Sequence, residues 1–424
     1  MQYAQLDIAD LERELATLAQ RHSAVSGSNL SLDLTRGKPA PEQLDLANAL
    51  DGILEGNYMS ATGIDARNYG DLRGLPEARE LGAEILGLDP DRIIADGPSS
   101  LTLMYQVIDA AYHYGLSGPA WSSEAPVKAV CPVPGYDRHF TITESFGIEM
   151  INVPMNAAGP DMDRVEALVE ADPSIKCMWC VPKYSNPSGC IYSSETVQRI
   201  AALANRAPAG FIVMWDNAYA VHDFEFPPAE LDDVLAHAER CGTADNVAVF
   251  GSTSKITFAG GGISFVAGSP AMLDRLESRM FVMLIGHDKV NQLRHVKLLH
   301  GRVEEHMRAH ADLVRPKFEA VDRILNESLD GLGIAEWSRP RGGYFIVVDT
   351  IPGLAAEVID LAGRAGVRLT PAGATHPYGR DPDDRTIRLA PTFAALEEVE
   401  AATAVLCLCI RLASVRRIRA DRDA

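Results

Sequence analysis

The chain has 424 residues, 47% of them hydrophobic and 23% charged, which is long enough for two or three domains and ordinary for a globular protein. Its formal charge of −19 would repel a phosphate backbone, and the one dense basic run, Arg411, Arg416, Arg417 and Arg419, carries no fold signal for nucleic acid, which is set aside as a partner. No stretch reaches the roughly 18 uninterrupted apolar residues of a membrane span, the first segment is acidic and amphipathic rather than a signal peptide, and seven cysteines in so long a chain make no disulfide framework. A soluble cytoplasmic protein with reduced thiols is expected.

In chain order, the N-terminal segment MQYAQLDIADLERELATLAQ comes first, and LTLMYQVIDAAYHYG, after Gly97-Pro98-Ser99-Ser100, reads as helical. Short apolar runs follow as candidate strands: KAVCPVP near 130, IEMINVPM near 150, CMWCVP near 179, FIVMWD near 213, VAVFGST near 249 and ISFVAG near 265. Strands alternating with helical or irregular stretches predict an α/β fold with a mostly parallel, doubly wound sheet, in which ligands sit at the carboxyl ends of the strands. Beyond about residue 285 the pattern predicts one long helix through HDKVNQLRH to NESL, then strands at GGYFIVVD and TIRLAP separated by a helix. The expected domains are an N-terminal segment 1–50 joining the small domain, a large domain 51–290, and a long helix with a small α+β domain over 291–424. Cys177 and Cys180 have C-x-x-C spacing, but they lie in the apolar run IKCMWCVP without a second cysteine pair or a histidine cluster, so they read as buried thiols and no metal site is expected.

Four residues carry a chemical pattern. Lys255 stands in GSTSKITFAGGGISF, just after the strand VAVF and before a glycine run. Asp216 ends the strand FIVMW, where an unpaired carboxylate is costly and a protonated pyridine nitrogen would be a charge partner. Tyr219, three residues on, and Asn186, in the turn YSNPSG, could each donate to a phenolic oxygen. A Schiff-base lysine, an acid for a ring nitrogen and two donors to a phenolic oxygen are what pyridoxal 5′-phosphate (PLP) requires. Each motif alone is weak, since an N-P-x-G turn is as often punctuation as function. Their order and spacing point to that cofactor.

The set resembles the PLP-dependent aspartate-aminotransferase superfamily (fold type I), and within it a bacterial aspartate aminotransferase subgroup. The likeness runs through LDLTRGKP at 32–39, NYGDLRGLPE at 68–77, CPVPGYDRHF at 131–140, WDNAYAVH at 215–222, STSKITFAGGGISF at 252–265, DKVNQLRH at 288–295, GGYF at 342–345 and RLAP at 388–391. It implies the PLP-dependent transferase fold, Lys255 as the Schiff-base lysine and proton carrier, and the derived roles for Asp216, Tyr219 and Asn186. It also makes Arg388 the anchor of the substrate α-carboxylate, which a guanidinium fork grips bidentately; a plain salt bridge is the alternative. The phosphate would rest on Ser99 and Ser100 at a helix start, with hydroxyls from Ser252 and Ser254; without the resemblance Ser99 and Ser100 read as helix caps. The arginine that many relatives carry some eight residues after the lysine is absent, because Gly260, Gly261, Gly262 and Ile263 stand there. Tyr69 matches a tyrosine that reaches the phosphate of a neighbouring subunit, which implies a homodimer with shared active sites. Tyr136 is the candidate for the aromatic stacked on the pyridine ring, or else a core tyrosine, and Gly37 would let backbone and substrate approach closely, with Arg36 and Lys38 beside it.

The implied reaction is transamination of aspartate or a related acidic amino acid with a 2-oxo acid such as 2-oxoglutarate. Met283 stands about where relatives often carry the arginine for a distal carboxylate, with Arg36, Lys38, Lys289 or Arg294 as possible substitutes. Ser188 replaces the usual threonine of N-P-T-G, and Lys183-Tyr184 precede it, so an amine in that loop could meet an anionic or bulky substrate. The alternative is PLP-dependent elimination or replacement at Cβ or Cγ of an S-adenosylmethionine-like amino acid. A PLP-binding regulator is a third reading, with no DNA-binding module to support it.

Overall fold

The computed structural model describes every residue except Met1, Asn29, Ala125 and Ala424. Eight strands among the described residues form the central sheet: β1 Ile93–Asp96, β2 Lys128–Val133, β3 Glu149–Asn156, β4 Gly159–Pro160, β5 Ile175–Cys180, β6 Ile212–Asp216, β7 Val247–Ser252 and β8 Ser264–Ala267. Their order is β1-β8-β7-β6-β5-β2-β3-β4. The five strands from β7 to β3 in that order run parallel, while β8 pairs antiparallel with both β7 and β1, and β4 antiparallel with β3. Parallel strands covered by helices on both faces must be apolar throughout, and β5, β6 and β7 are buried at every position.

All six strands expected from apolar runs are present. The strand β1 went unanticipated because IIAD is four residues long and has no alternation to mark it. The long helix expected after residue 285 is two helices, Lys289–Leu299 and Val303–Leu329, because Gly301 takes φ +73° between them. GGYF is loop, and the strand begins only at Ile346.

A second core gathers Leu11 and Leu18 of the helix Ile8–Ser26, Val321 and Leu325 of Val303–Leu329, and Leu406 and Ile410 of the terminal helix Leu396–Asp423. It packs on a three-stranded antiparallel sheet, β9 Ala335–Trp337, β10 Ile346–Thr350 and β11 Thr386–Leu389. The basic run is spent within this body: Arg411 pairs with Glu14 at 2.6 Å, Arg416 with Glu357 and Arg419 with Glu12, both at 3.1 Å. Among the described residues no helix is long and apolar enough to cross a membrane.

Candidate active site

The carboxyl ends of β6 and β7 and the start of the helix Ser100–Tyr114 enclose a cavity of about 400 Å³. Nine of the singled-out residues line it: Ser99, Ser100, Tyr136, Asn186, Asp216, Tyr219, Ser252, Ser254 and Lys255. They come from five separate segments of chain, brought together because each lies at or just beyond the carboxyl end of a strand or at a helix start.

Asp216 is the last residue of β6 and is buried. Its Oδ2 lies 3.0 Å from Nε2 of His139, while its Oδ1 is buried without a hydrogen-bond partner among the described residues. An acceptor left in that state is costly unless a donor arrives from the cavity. Protein mass around the Lys255 amine pushes its pKa below the ordinary lysine value, and the nearby charge of Asp216 only partly opposes this. The amine lies 5.0 Å from the centre of the Tyr219 ring. Burial also raises the Tyr219 hydroxyl well above its ordinary pKa and Tyr136 to about 12, the Asp216 charge adding to both, so each phenol stays protonated as a donor.

Ser99 occupies the N-cap position of Ser100–Tyr114 but makes no capping hydrogen bond, so the helix start and its hydroxyl are open to an anion. Ser254 donates to the Pro98 carbonyl at 2.8 Å and fixes the loop before Lys255 against that helix start. Beneath it, Asp96 at the end of β1 accepts from the Gly97 amide at 2.6 Å and pairs with Nδ1 of His287 at 2.5 Å.

Arg388, in β11, is buried, and its Nη1 lies 3.5 Å from Oδ1 of Asn186 and 3.3 Å from Oδ1 of Asp137. The salt bridge is the alternative reading of this arginine, and its other contact, Asn186, lines the cavity. Gly37 lies under Phe345, whose ring atom Cζ would be 2.1 Å from an added Cβ, so the close approach at this glycine is to a ring of the protein. Tyr69 does not reach the cavity within one chain, being 78% exposed.

The substitutes considered for a distal anchor divide. Lys289 is held by Asp71 at 2.6 Å and by the Tyr69 carbonyl, and Arg294 donates to the Leu50 carbonyl. Arg36 pairs with Asp33 and Lys38 lies over the Phe393 ring. Met283 is exposed near Phe281, Val282 and Ile285. The amine of Lys183 does not meet the cavity: it is buried on Asp223 and the Ala220 carbonyl, both at 2.9 Å, and Tyr184 donates to the same Asp223 at 2.7 Å. That departure in sequence therefore builds a buried ion pair rather than a substrate contact. Ser188 accepts from the Cys190 amide in its own turn.

Two further residues of CPVPGYDRHF, not among the candidates read from the sequence, reach the site's side chains. His139 stacks on Trp179 with ring centres 4.1 Å apart and holds Asp216, and Asp137 touches Arg388. A histidine in the same motif as the candidate ring-stacking tyrosine was the available signal.

The family model described as aspartate amino-transferase matches residues 4–422. The aspartate aminotransferase of Corynebacterium glutamicum is 44% identical over 404 residues, covering 94% of this chain and 93% of that one. The crystal structure of an aspartate transaminase from the same species superposes with a TM-score of 0.96 at 40% identity, over 99% of both chains. The 2-aminoadipate transaminase of Thermus thermophilus is 25% identical over 91% of this chain and 89% of its own.

Proposed function

The chain belongs to the aspartate aminotransferase family and is an aminotransferase, and we propose that it moves the amino group of aspartate, or a closely related acidic amino acid, to a 2-oxo acid such as 2-oxoglutarate. The observation that carries this reading is the unpartnered Oδ1 of Asp216 in the cavity that Lys255 lines.

Enzymes of this fold use pyridoxal 5′-phosphate, and the residues present suit it. Asp216 offers a free carboxylate oxygen for a ring nitrogen, Tyr219 and Asn186 offer donors, Lys255 an amine, and Ser99, Ser100, Ser252 and Ser254 the hydroxyls and helix start for a phosphate. Tyr136 is the aromatic wall. When bound, the cofactor supplies an aldehyde that takes up the amino group and a cationic ring that withdraws electrons from the substrate Cα.

The protein's own part is positioning and proton transfer. Arg388 and Asn186 grip the α-carboxylate and so orient the Cα–H bond. Lys255, its pKa lowered by burial, takes the Cα proton at Nζ and returns it on the other side of the transfer. His139 holds Oδ2 of Asp216 and leaves Oδ1 directed to the ring nitrogen. Arg138, exposed beside Tyr136 with its charge acting on that phenol, is our candidate for the distal carboxylate in place of the arginine absent at Met283.

We also infer a homodimer. Tyr69, Phe281, Val282, Met283 and Ile285 are exposed large side chains, and Gly286 packs directly against Gly70, which brings the two segments side by side at one surface. A second copy would cover it and bring Tyr69 to the neighbouring phosphate site. The seven cysteines are all free thiols, in keeping with the cytoplasm.

The test is a half-reaction. Holoenzyme mixed with L-aspartate alone should release oxaloacetate up to one equivalent of bound cofactor, stop, and resume on addition of 2-oxoglutarate. No oxaloacetate, or release continuing without an oxo acid, would reject transamination of aspartate. The relatives are aminotransferases and give the elimination and replacement reading no support.

A further inference from the structure

The guanidinium read as the substrate anchor already holds a carboxylate of the protein. Oδ1 of Asp137 lies 3.3 Å from Nη1 of Arg388, with the Arg388 side chain 9% exposed and that of Asp137 41%. The other polar neighbours of the fork are neutral: Oδ1 of Asn186 at 3.5 Å and Oγ1 of Thr370, 3.4 Å from Nε. The pair also bridges the two bodies of the fold, because Asp137 opens the helix Asp137–Ser145 beside the large sheet and Arg388 lies in β11.

A buried guanidinium without a counter-ion is expensive, and Asp137 offsets that cost while no substrate is present. Its hold is weak, through a single nitrogen at 3.3 Å and from a half-exposed side chain. It also has somewhere to go: Asp137 lines an open cleft of about 650 Å³ together with His376 and Arg380. An incoming α-carboxylate can use two nitrogens of the fork and is the stronger partner, whereas two carboxylates on one guanidinium repel each other.

We propose that Asp137 is a displaceable occupant of Arg388, which every substrate carboxylate must push into the cleft, so that it sets how tightly amino and oxo acids bind. This rests on the reading of Arg388 as the carboxylate anchor. Asp137 is a positioning residue, and it acts only through Arg388.

The experiment is calorimetric titration of holoenzyme with succinate, which has carboxylates but no amine to transfer. Asp137→Asn and Asp137→Ser should each bind succinate about five-fold more tightly than the parent, the measure of a weak half-exposed ion pair removed. KM for aspartate should fall by a larger factor than kcat changes. The serine variant keeps a hydroxyl at the helix start, so one charge-free variant remains folded, as a melting curve verifies. Unchanged or weaker succinate binding in the folded variants overturns the proposal, because Asp137 would then be neutral or would orient the fork for substrate. Arg388→Ala separates the two readings. It should weaken succinate binding and erase the gain from Asp137→Asn in the double variant; a gain that persists there overturns the proposal. Succinate affinity untouched by Arg388→Ala instead removes Arg388 as the anchor, and the proposal falls with it.

Discussion

The imidazole of His139 lies flat on Trp179 and its Nε2 meets Oδ2 of Asp216 at 3.0 Å, so one oxygen of that carboxylate is held from behind while the other is left without a partner. A carboxylate has no proton to give, so Nε2 carries the hydrogen and donates. Asp216→Ala should lower kcat/KM by about 10² to 10³, the loss typical when a positioned electrostatic group is removed. His139→Ala removes only the support, a hydrogen bond to a charged group of about 1.5–3 kcal/mol, and should cost about ten- to a hundred-fold. Steady-state kinetics on both variants checks the ranking; equal activity of His139→Ala and the parent would show that the stacked imidazole is only packing.

Lys183 and Asp223 form an ion pair with side chains 6% and 2% exposed, and Asp223 also accepts from Tyr184 and the Ala229 amide. Burial pulls the pKa of Lys183 down and Asp223 pulls it back part of the way. Removing the acid strands a buried ammonium, so Asp223→Ala should destabilise the protein by about 3–5 kcal/mol in denaturant unfolding. Replacing both, with Lys183→Met added, should recover much of that loss. If the double variant is no better than the single one, the stranded charge is not the cause.

Asp96 and His287 give a pH dependence with a definite sign. Burial pushes Asp96 up, but the hydrogen bond and charge of His287 outweigh it and hold the carboxylate below its ordinary 3.8. Burial pulls His287 down, but Asp96 and the Leu72 carbonyl outweigh that and raise the imidazole above its ordinary 6.5. The raised histidine stabilises fully below 6.5 and its contribution fades as pH climbs through the higher folded value. The depressed aspartate stabilises above 3.8 and fades as pH falls through the lower folded value. The pair is therefore worth most between those two pH values. Cofactor-free protein should lose melting temperature on the alkaline side of 6.5 by a component missing from His287→Gln, and identical pH profiles for the two proteins would remove the pair from the account.

The central sheet was legible in the sequence because each buried parallel strand is a run of apolar residues bounded by turns, and Asp216 stood out as a charge at the end of such a run. The residues lining the cavity were legible as types in an order. What a run cannot encode is direction. Nothing in Lys183-Tyr184 says that both side chains turn to Asp223, and nothing in YDRH says which of its groups meets Asp216 and which meets Arg388. The break at Gly301 was hidden because an apolar stripe continues on both sides of it, and the single φ of +73° that ends one helix leaves no trace in periodicity. Tyr69 is silent for another reason: it is exposed and meets no part of the cavity within one chain.

Lys255 meets the cofactor before any substrate arrives. Only the neutral amine attacks an aldehyde, and burial holds the pKa of this amine below its ordinary 10.5 while the charge of Asp216 pulls it upward. The rate at which cofactor-free protein takes up pyridoxal 5′-phosphate should therefore rise with pH and level off at a midpoint below 10.5. Asp216→Asn removes the opposing charge and should move that midpoint lower still, even though the variant holds the ring less firmly. Stopped-flow absorbance across pH reads both. A midpoint at 10.5 in the parent would show that the cavity does not desolvate Lys255. An upward move in Asp216→Asn would mean that Asp216 does not act on the amine through its charge, and the electrostatic link between the two residues would have to be given up.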